Sequence, residues 1–554
     1  MKNTAIKTVS VLSTLLVLAT GCIKETFPQG STQTAAQVAK SDGALDAMIN
    51  AIPVSMMGTN ELGYFSSYGV HWDYGIGAIH MATEMMLEDM ATLGDNPYYN
   101  RYYAWAYNQN QGDRYIYCAY FWDAYYTWIK AANDIINVVN PEDMNDTAKK
   151  YLGQALAYRA SFYLDLARLF EPLEPGTSYP GYDISKVKGL TVPIVDENTT
   201  EELGKNNPRV SHDKMYEFIL SDLDRAAEYL KDVKTDYSQP SINLVNGLYA
   251  RTYLEMGAAG AAEAYEKAAQ YAQKVIDESG KTPLTQEQWE DPQTGFNSGS
   301  SNNSWIWGLT LSTENQGNIL TWAAHICSEG AWGYAPLSQL GINKATYERI
   351  PDSDFRKHSW LDPGRTNYYN YKFACGDDSY LTATGSYKGN PIPKDLVNIK
   401  FRPARGEISD YAVGNCTDQV LMRIEEMYFI QAEALAQTNV AAAKTVLESL
   451  VKTRNPQYSC TANSKEDFLE ELLFQKRVEF WGEGILFYDY KRLGAGITRG
   501  YKGTNHAAVY AYNSVGRSPQ WNIVITRGEH QSNTGITAET NNPDPSDLLP
   551  LWSE

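Results

Sequence analysis

Cysteine is the first scarcity in this chain of 554 residues. Beyond Cys22, only Cys118, Cys327, Cys375, Cys416 and Cys460 remain, an odd number at irregular spacing and without a CxxC pair. Neither a disulfide framework nor a metal cluster is indicated, and buried single thiols are expected. Basic charge is also short, with 47 Lys and Arg against 66 Asp and Glu and a formal charge of -19. Nucleic-acid binding rests on cations that neutralise phosphates, so this balance argues against nucleic acid as a partner. It argues equally against attachment to an anionic membrane through a basic patch, and the acidic excess reads as a solubility device. Catalytic signatures are missing too. There is no HExxH, no GxSxG and no Walker-type phosphate loop, and the seven His are scattered. "GAGITRG", from Gly494 to Gly500, misses the dinucleotide spacing and follows a helix instead of a strand. No enzyme, cofactor or metal is expected.

Long apolar runs are absent except at the amino terminus. Lys2 and Lys7 precede "VSVLSTLLVL", which is too short to span a bilayer. "ATGC" then places small residues directly before Cys22, the pattern of a lipobox in which the thiol becomes the lipidated first residue. An ordinary secretory signal with a coincidental cysteine is the alternative. The expected organisation is a signal peptide over 1–21, a flexible tether over 22–37 and one body over 38–554. A lipid at Cys22 would hold that body to a membrane.

What is present is helical periodicity in pairs. Trp122, Tyr125, Ile129, Ala132 and Ile136 fall on one helix face, and Leu152, Leu156, Tyr163, Leu166 and Phe170 on another. Pro172 and Pro175 stop the second helix. Met215, Ile219, Leu223, Ala226 and Leu230 form a third stripe. The spacing predicts a mainly α, tetratricopeptide-like solenoid with helical repeats over about 113–278 and 418–495. Long irregular loops with a few short β-hairpins are expected over about 54–112, 279–417 and 496–554. Loops of this length are functional or disordered, and their dense aromatics argue against disorder.

Tyrosine dominates those aromatics, with 40 Tyr against only 15 Phe. Tyr is favoured over Phe where one edge of the ring stays wet. "DNPYYNRYYAWAYNQNQGDRYIY", from Asp95 to Tyr117, sets seven tyrosines and a tryptophan among Asn, Gln, Asp and Arg. Flat rings can stack under the C–H face of a sugar while amides and carboxylates bind its hydroxyls. Each such contact contributes about 0.5–1.5 kcal/mol, so useful affinity needs a polymer that touches several rings. An extended peptide could use the same surface. Tyr98, Tyr102, Trp105, Asn108, Trp305, Trp307 and Trp332 are the candidate ligand contacts, whereas Trp122 and Trp128 lie on helical stripes and read as core. Paired carboxylates could cleave a glycoside. Glu84, Glu88 and Asp89, or Glu425, Glu426 and Glu433, are available, but solvated faces and pairs with Arg423 or Arg477 are the plainer reading.

Several motifs in sequence order resemble the SusD/RagB family of outer-membrane lipoproteins. They are "WIKAANDII", "GQALAYRASFYLDLARLF", the set Ile219, Asp222, Leu223, Ala226 and Leu230, "LYARTYL", "LMRIEEMYFIQAEA", "QKRVEFWGEGILFYDYKR" and the closing "LLPLW". Gln154 and Gln475 replace family glutamates, and Ile485 and Leu486 stand where Arg is usual, departures that read as drift in helix contacts. The resemblance implies a four-repeat solenoid bearing a loop-built face, lipid-anchored at the cell outer membrane and exposed at the cell surface. It implies capture of a glycan and delivery to a SusC-like TonB-dependent transporter, with aromatics near Tyr98–Trp105 and Trp305–Trp332 as contacts. The other readings are a peptide-capturing protein on the same scaffold, a surface glycoside hydrolase and a purely structural lid.

Overall fold

The computed structural model describes residues 38, 41–58, 73–93, 109–140, 144–234, 236–291, 293–314, 321–330, 332–363, 386–387, 390–391 and 394–553. The body is mainly helical. α1 (Asp42–Met56) and α2 (Ile76–Glu84) precede the repeats. α3 (Ile116–Val138) and α4 (Asp146–Phe170) form the first pair. α5 (His212–Leu230) and α6 (Ile242–Ala258) form the next. α7 (Ala264–Glu278) packs against a helix met only much later, α9 (Ile424–Ala436). α10 (Val440–Val451), α11 (Lys465–Phe480) and α12 (Leu486–Leu493) complete the series. Between α7 and α9 lies a short helix that bears on the site, α8 (Trp322–Ile326).

Local chemistry explains the helix limits. Asn145 caps α4 by accepting from the Ala148 N–H at 2.8 Å, and Ser464 with Asp467 forms a reciprocal capping box at the start of α11. The expected stripes are buried: Trp128, Ile129, Leu152, Leu156, Ile219 and Leu223 are all inaccessible to solvent. Small residues sit where helices cross. A Cβ on Gly153 would lie 2.8 Å from Leu230, so α4 and α5 can approach closely only because that atom is missing.

The strands are short, and the main pairings join distant segments instead of forming local hairpins. β1 (Met90–Thr92) pairs antiparallel with β3 (Leu340–Ile342). β2 (Trp305–Leu309) pairs with β4 (Gln419–Arg423), which runs directly into α9. The chain thus leaves the solenoid after α7 and re-enters it beside its own inserted strand.

The carboxy-terminal stretch over 496–554, expected as a loop insertion, is irregular over most of its length and sends several large side chains into the core. Tyr512, Trp521 and Ile525 are fully buried. Its asparagines serve the backbone: Asn542 Nδ2 donates to Phe170 O at 2.8 Å and Ile523 O at 2.7 Å, and Asn541 Nδ2 donates to Ile525 O at 2.9 Å. A buried irregular chain must satisfy its carbonyls in this way because no helix or sheet does so. Of the described cysteines, Cys118, Cys327 and Cys460 are buried and Cys416 is half-buried, all unbridged. Among the described residues no helix is long and apolar enough to cross a membrane.

Candidate ligand-binding face

Residues 59–72, 94–108, 315–320 and 364–385 lie outside the described part, but the residues that bracket them are tied together. Gly58 and Gly75 form a neck. Both have positive φ, 62° and 64°, and a Cβ on Gly75 would sit 1.8 Å from Met56 O. Only glycine permits the chain to pass itself this closely in that conformation. Tyr74, beside the neck, stacks on His325 of α8 at 4.0 Å between ring centres, and His325 lies 4.8 Å from Tyr334. Tyr120, near the start of α3, brings its hydroxyl to Asp73 (3.1 Å) and to Gly75 O (3.2 Å).

Gln339 provides a second tie. Its carbonyl accepts from the Leu93 N–H at 2.9 Å, and its side-chain oxygen accepts from the Lys394 N–H at 2.7 Å. Lys394 Nζ in turn donates to Leu93 O. Leu361 exchanges backbone bonds with Leu396 and Val397, and Thr321 donates to Asn415. At least one flank of each of four separate segments is therefore tied to a distant part of the chain.

The sequence-derived contacts divide sharply on this frame. Tyr98, Tyr102, Trp105 and Asn108 lie outside the described residues, as does Cys22. Trp305, Trp307 and Trp332 are corrections, for they are only 0 %, 3 % and 8 % exposed. Trp305 sits edge-on to Tyr237 at 5.5 Å, and Trp307 faces Tyr158 of α4 at 6.0 Å. The reason is that β2 is covered on both sides, by the solenoid and by the turn around Tyr237 and Gly299. Trp332 packs against Gly330 and Gly414. None of these three offers a free ring face as a platform.

Other rings do reach solvent. Tyr411, 43 % exposed, opens the short helix that ends at Gly414, against Trp332. Tyr115, 42 % exposed, closes the tyrosine-rich stretch at the start of α3. Tyr411 sits in "ISDYAVGN", where polar neighbours give the same signal that singled out Trp105. Tyr74, His325 and Tyr334 carried no local signal, because each depends on a partner far away in sequence.

The carboxylates weighed as catalytic pairs are all engaged within the protein, and all are buried instead of solvated. Glu84 accepts from the Gly484 N–H at 2.9 Å, and burial raises its pKa to about 8 against the pull of the Gly484 and Gly482 N–H groups. It holds α2 against the "GEG" turn. Asp89 receives both arms of Arg477 at 2.7 Å, and Glu88 lies 2.8 Å from the same guanidinium. Glu425 pairs with Arg423 (3.1 Å) and Arg454 (2.8 Å), Glu426 with Arg251 (2.6 Å), and Glu433 with Arg492 (2.8 Å). At the centre, Glu479 meets Arg356, Arg423 and Arg454, which hold its carboxyl well below the usual range despite burial. No group of three metal-ligating side chains is found among the described residues.

A solenoid of paired helices with a loop-built face and a closed, charge-paired interior defines a class of binding scaffold. A family model described as "Starch-binding associating with outer membrane" matches residues 68–254, and the SusD family model matches 339–544. The chain belongs to the SusD/RagB family. A SusD-like protein of Bacteroides ovatus is 22% identical over 397 residues, 66% of this chain and 64% of that relative, so the match leaves out over a third of the relative's length. A SusD-like carbohydrate binding protein from Bacteroides vulgatus superposes with a TM-score of 0.68 at 22% identity, covering 90% of this chain and 98% of the other. Surface glycan-binding protein A from Bacteroides thetaiotaomicron, solved with laminarihexaose, gives 0.65 at 16% identity, covering 90% and 99%. At these identities the superpositions establish the fold. Residues 255–338, which carry α8 and two of the corrected tryptophans on β2, fall between the two family matches.

Proposed function

We propose that this protein captures a glycan at the face framed by Tyr74, His325, Gln339 and Lys394 and passes it to a SusC-like TonB-dependent transporter. Lipid at Cys22 holds it to the outer membrane, at the cell surface. The observation that carries the reading is that flanks of four aromatic and polar segments, one of which holds Tyr98, Tyr102, Trp105 and Asn108, are tied to distant parts of the chain. A rigid frame under these segments reduces the ordering cost of binding, which weak stacking contacts could not otherwise offset. Relatives of the same fold support a sugar as guest, since one of them is solved with a hexasaccharide.

The protein acts by binding and not by cleavage. The carboxylates considered for hydrolysis are engaged by arginines or backbone N–H groups, where they stabilise the scaffold. Affinity electrophoresis and calorimetry against a panel of polysaccharides test the proposal. Wild-type protein is expected to bind at least one glycan without releasing reducing ends, and Trp105→Ala to weaken that binding. Absence of binding across the panel, or capture of peptides in its place, would overturn it.

A further inference from the structure

Away from this face, a partly open cavity of about 120 Å³ lies where the ends of α4, α6 and α12 meet the start of α5. α4 contributes Arg168 and Glu171, α5 His212, α6 Glu255, α12 Lys491 and Arg492, and the chain beyond α12 Arg517. Most of these charges are matched. Arg168 pairs with Asp165 at 2.5 Å, Arg492 with Glu433 at 2.8 Å and Glu255 at 3.0 Å, and His212 with Glu171 at 2.9 Å.

Lys491 and Arg517 are the exceptions. Lys491 Nζ donates only to carbonyl oxygens, Arg168 O at 2.8 Å and Leu169 O at 3.1 Å. Arg517 likewise donates to Lys491 O at 2.6 Å and Glu174 O at 2.8 Å. Among the described residues neither has a carboxylate in ion-pair contact. Arg168 adds an orphan donor: its guanidinium lies 3.6 Å from the Tyr488 ring centre, and its buried Nε–H has no acceptor. Burial lowers Lys491 to about 7, with Glu171 opposing the shift and Arg517 adding to it, as expected of an under-compensated cation.

We propose that this cavity binds one small oxyanion, a carboxylate, sulfate or phosphate group, between Lys491 and Arg517. An acceptor-only guest supplies what the cavity lacks, and charge-assisted bonds to arginine are the strong ones. A partly open space of about 120 Å³ admits such a group. The site does not depend on the glycan-capture reading.

Titration of the full chain with sodium sulfate, phosphate, acetate and glucuronate, each against chloride at equal ionic strength, tests the site. Saturable binding and a raised melting temperature are expected with at least one probe. Arg517→Gln, at the rim, should weaken binding about tenfold or more, whereas Trp105→Ala should leave it unchanged. Placing an anion beside Lys491 raises its pKa, so binding near pH 7.5 should take up protons, read by calorimetry in buffers of different ionisation enthalpy. Lys491→Met should abolish that uptake. Saturation by inorganic ions alone assigns a free ion as the guest, and saturation by glucuronate assigns a sugar-borne group. Equal responses to chloride and to every probe, or an unchanged response in Arg517→Gln, would overturn the site.

Discussion

Helices α5 and α9 belong to the same solenoid but solve opposite problems. α5 buries one mainly apolar stripe, Met215, Ile219, Leu223, Ala226 and Leu230, with a single carboxylate, Asp222, held by both arms of Arg159 at 2.7 Å, and leaves its other face to water. α9 is buried nearly all round, including Glu425, Glu426 and Glu433. The difference comes from the chain that intervenes between α7 and α9. Leu284 N–H and Ser304 Oγ both donate to Glu425, at 2.7 Å and 2.5 Å, so the insertion closes over a face that α5 keeps open. Once covered, those carboxylates must find cations, and α9 became the wall of a charge-paired hub. An apolar stripe needs only a neighbour, whereas a buried charge needs a particular partner in a particular place. That demand ties α2, the insertion and α11 into one registered unit beneath the proposed face.

The largest expected effect tests how strongly the hub depends on its ion pairs. Glu479→Gln leaves Arg356, Arg423 and Arg454 short of a shared counter-charge and should cost about 3–5 kcal/mol in denaturant unfolding. Glu217→Ala, on the exposed side of α5, should stay within about 0.5 kcal/mol. If the two were similar, the contrast between the helices would fail. Leu223→Ala should cost about 2–5 kcal/mol through a cavity in the α5 stripe. Its effect should not depend on pH. That of Glu479→Gln should shrink in acid, because a depressed carboxylate contributes in full above its unfolded pKa and loses that contribution as pH falls through its folded value.

Glu84 sharpens the same contrast with the opposite sign. Its carboxyl holds its proton to about pH 8 in the folded state and has a reference value of 4.5. Between these limits the native state binds more protons than the unfolded chain, so Glu84 lowers stability as pH rises, by up to about 1.4 kcal/mol per unit. Glu84→Gln should flatten that slope in unfolding curves taken from pH 5 to 8. Gly75→Ala should cost at least about 1–3 kcal/mol in strain at positive φ and should impair glycan binding by displacing the neck. Smallest is Tyr411→Ala, within about 0.5 kcal/mol in stability. If that ring lies on the bound glycan, affinity should fall between about two- and tenfold in calorimetry.

Much of the scaffold was legible in the residues, and the site much less so. The stripes of α3, α4 and α5 could be placed because helical spacing is a local property, and Pro172 and Pro175 marked the end of α4 because proline cannot continue a helix. Trp305 and Trp307 read wrongly as open platforms. Their covering, the solenoid on one side and the turn at Tyr237 on the other, is set elsewhere in the chain. The carboxylates of α9 read wrongly as solvated for the same reason, although the expected partner Arg423 does pair with Glu425. The asparagines near the carboxy terminus resemble loop residues until their carbonyl partners are seen.

By itself the sequence determined an all-helical repeat with aromatic, amide-rich interruptions and no recognisable catalytic motif, since composition and periodicity need only neighbours along the chain. Tertiary structure alone decided which rings are covered, which carboxylates are paired and where the flanks of the interruptions meet. Burial and ion pairing are properties of segments brought together from far apart, and no local pattern encodes them.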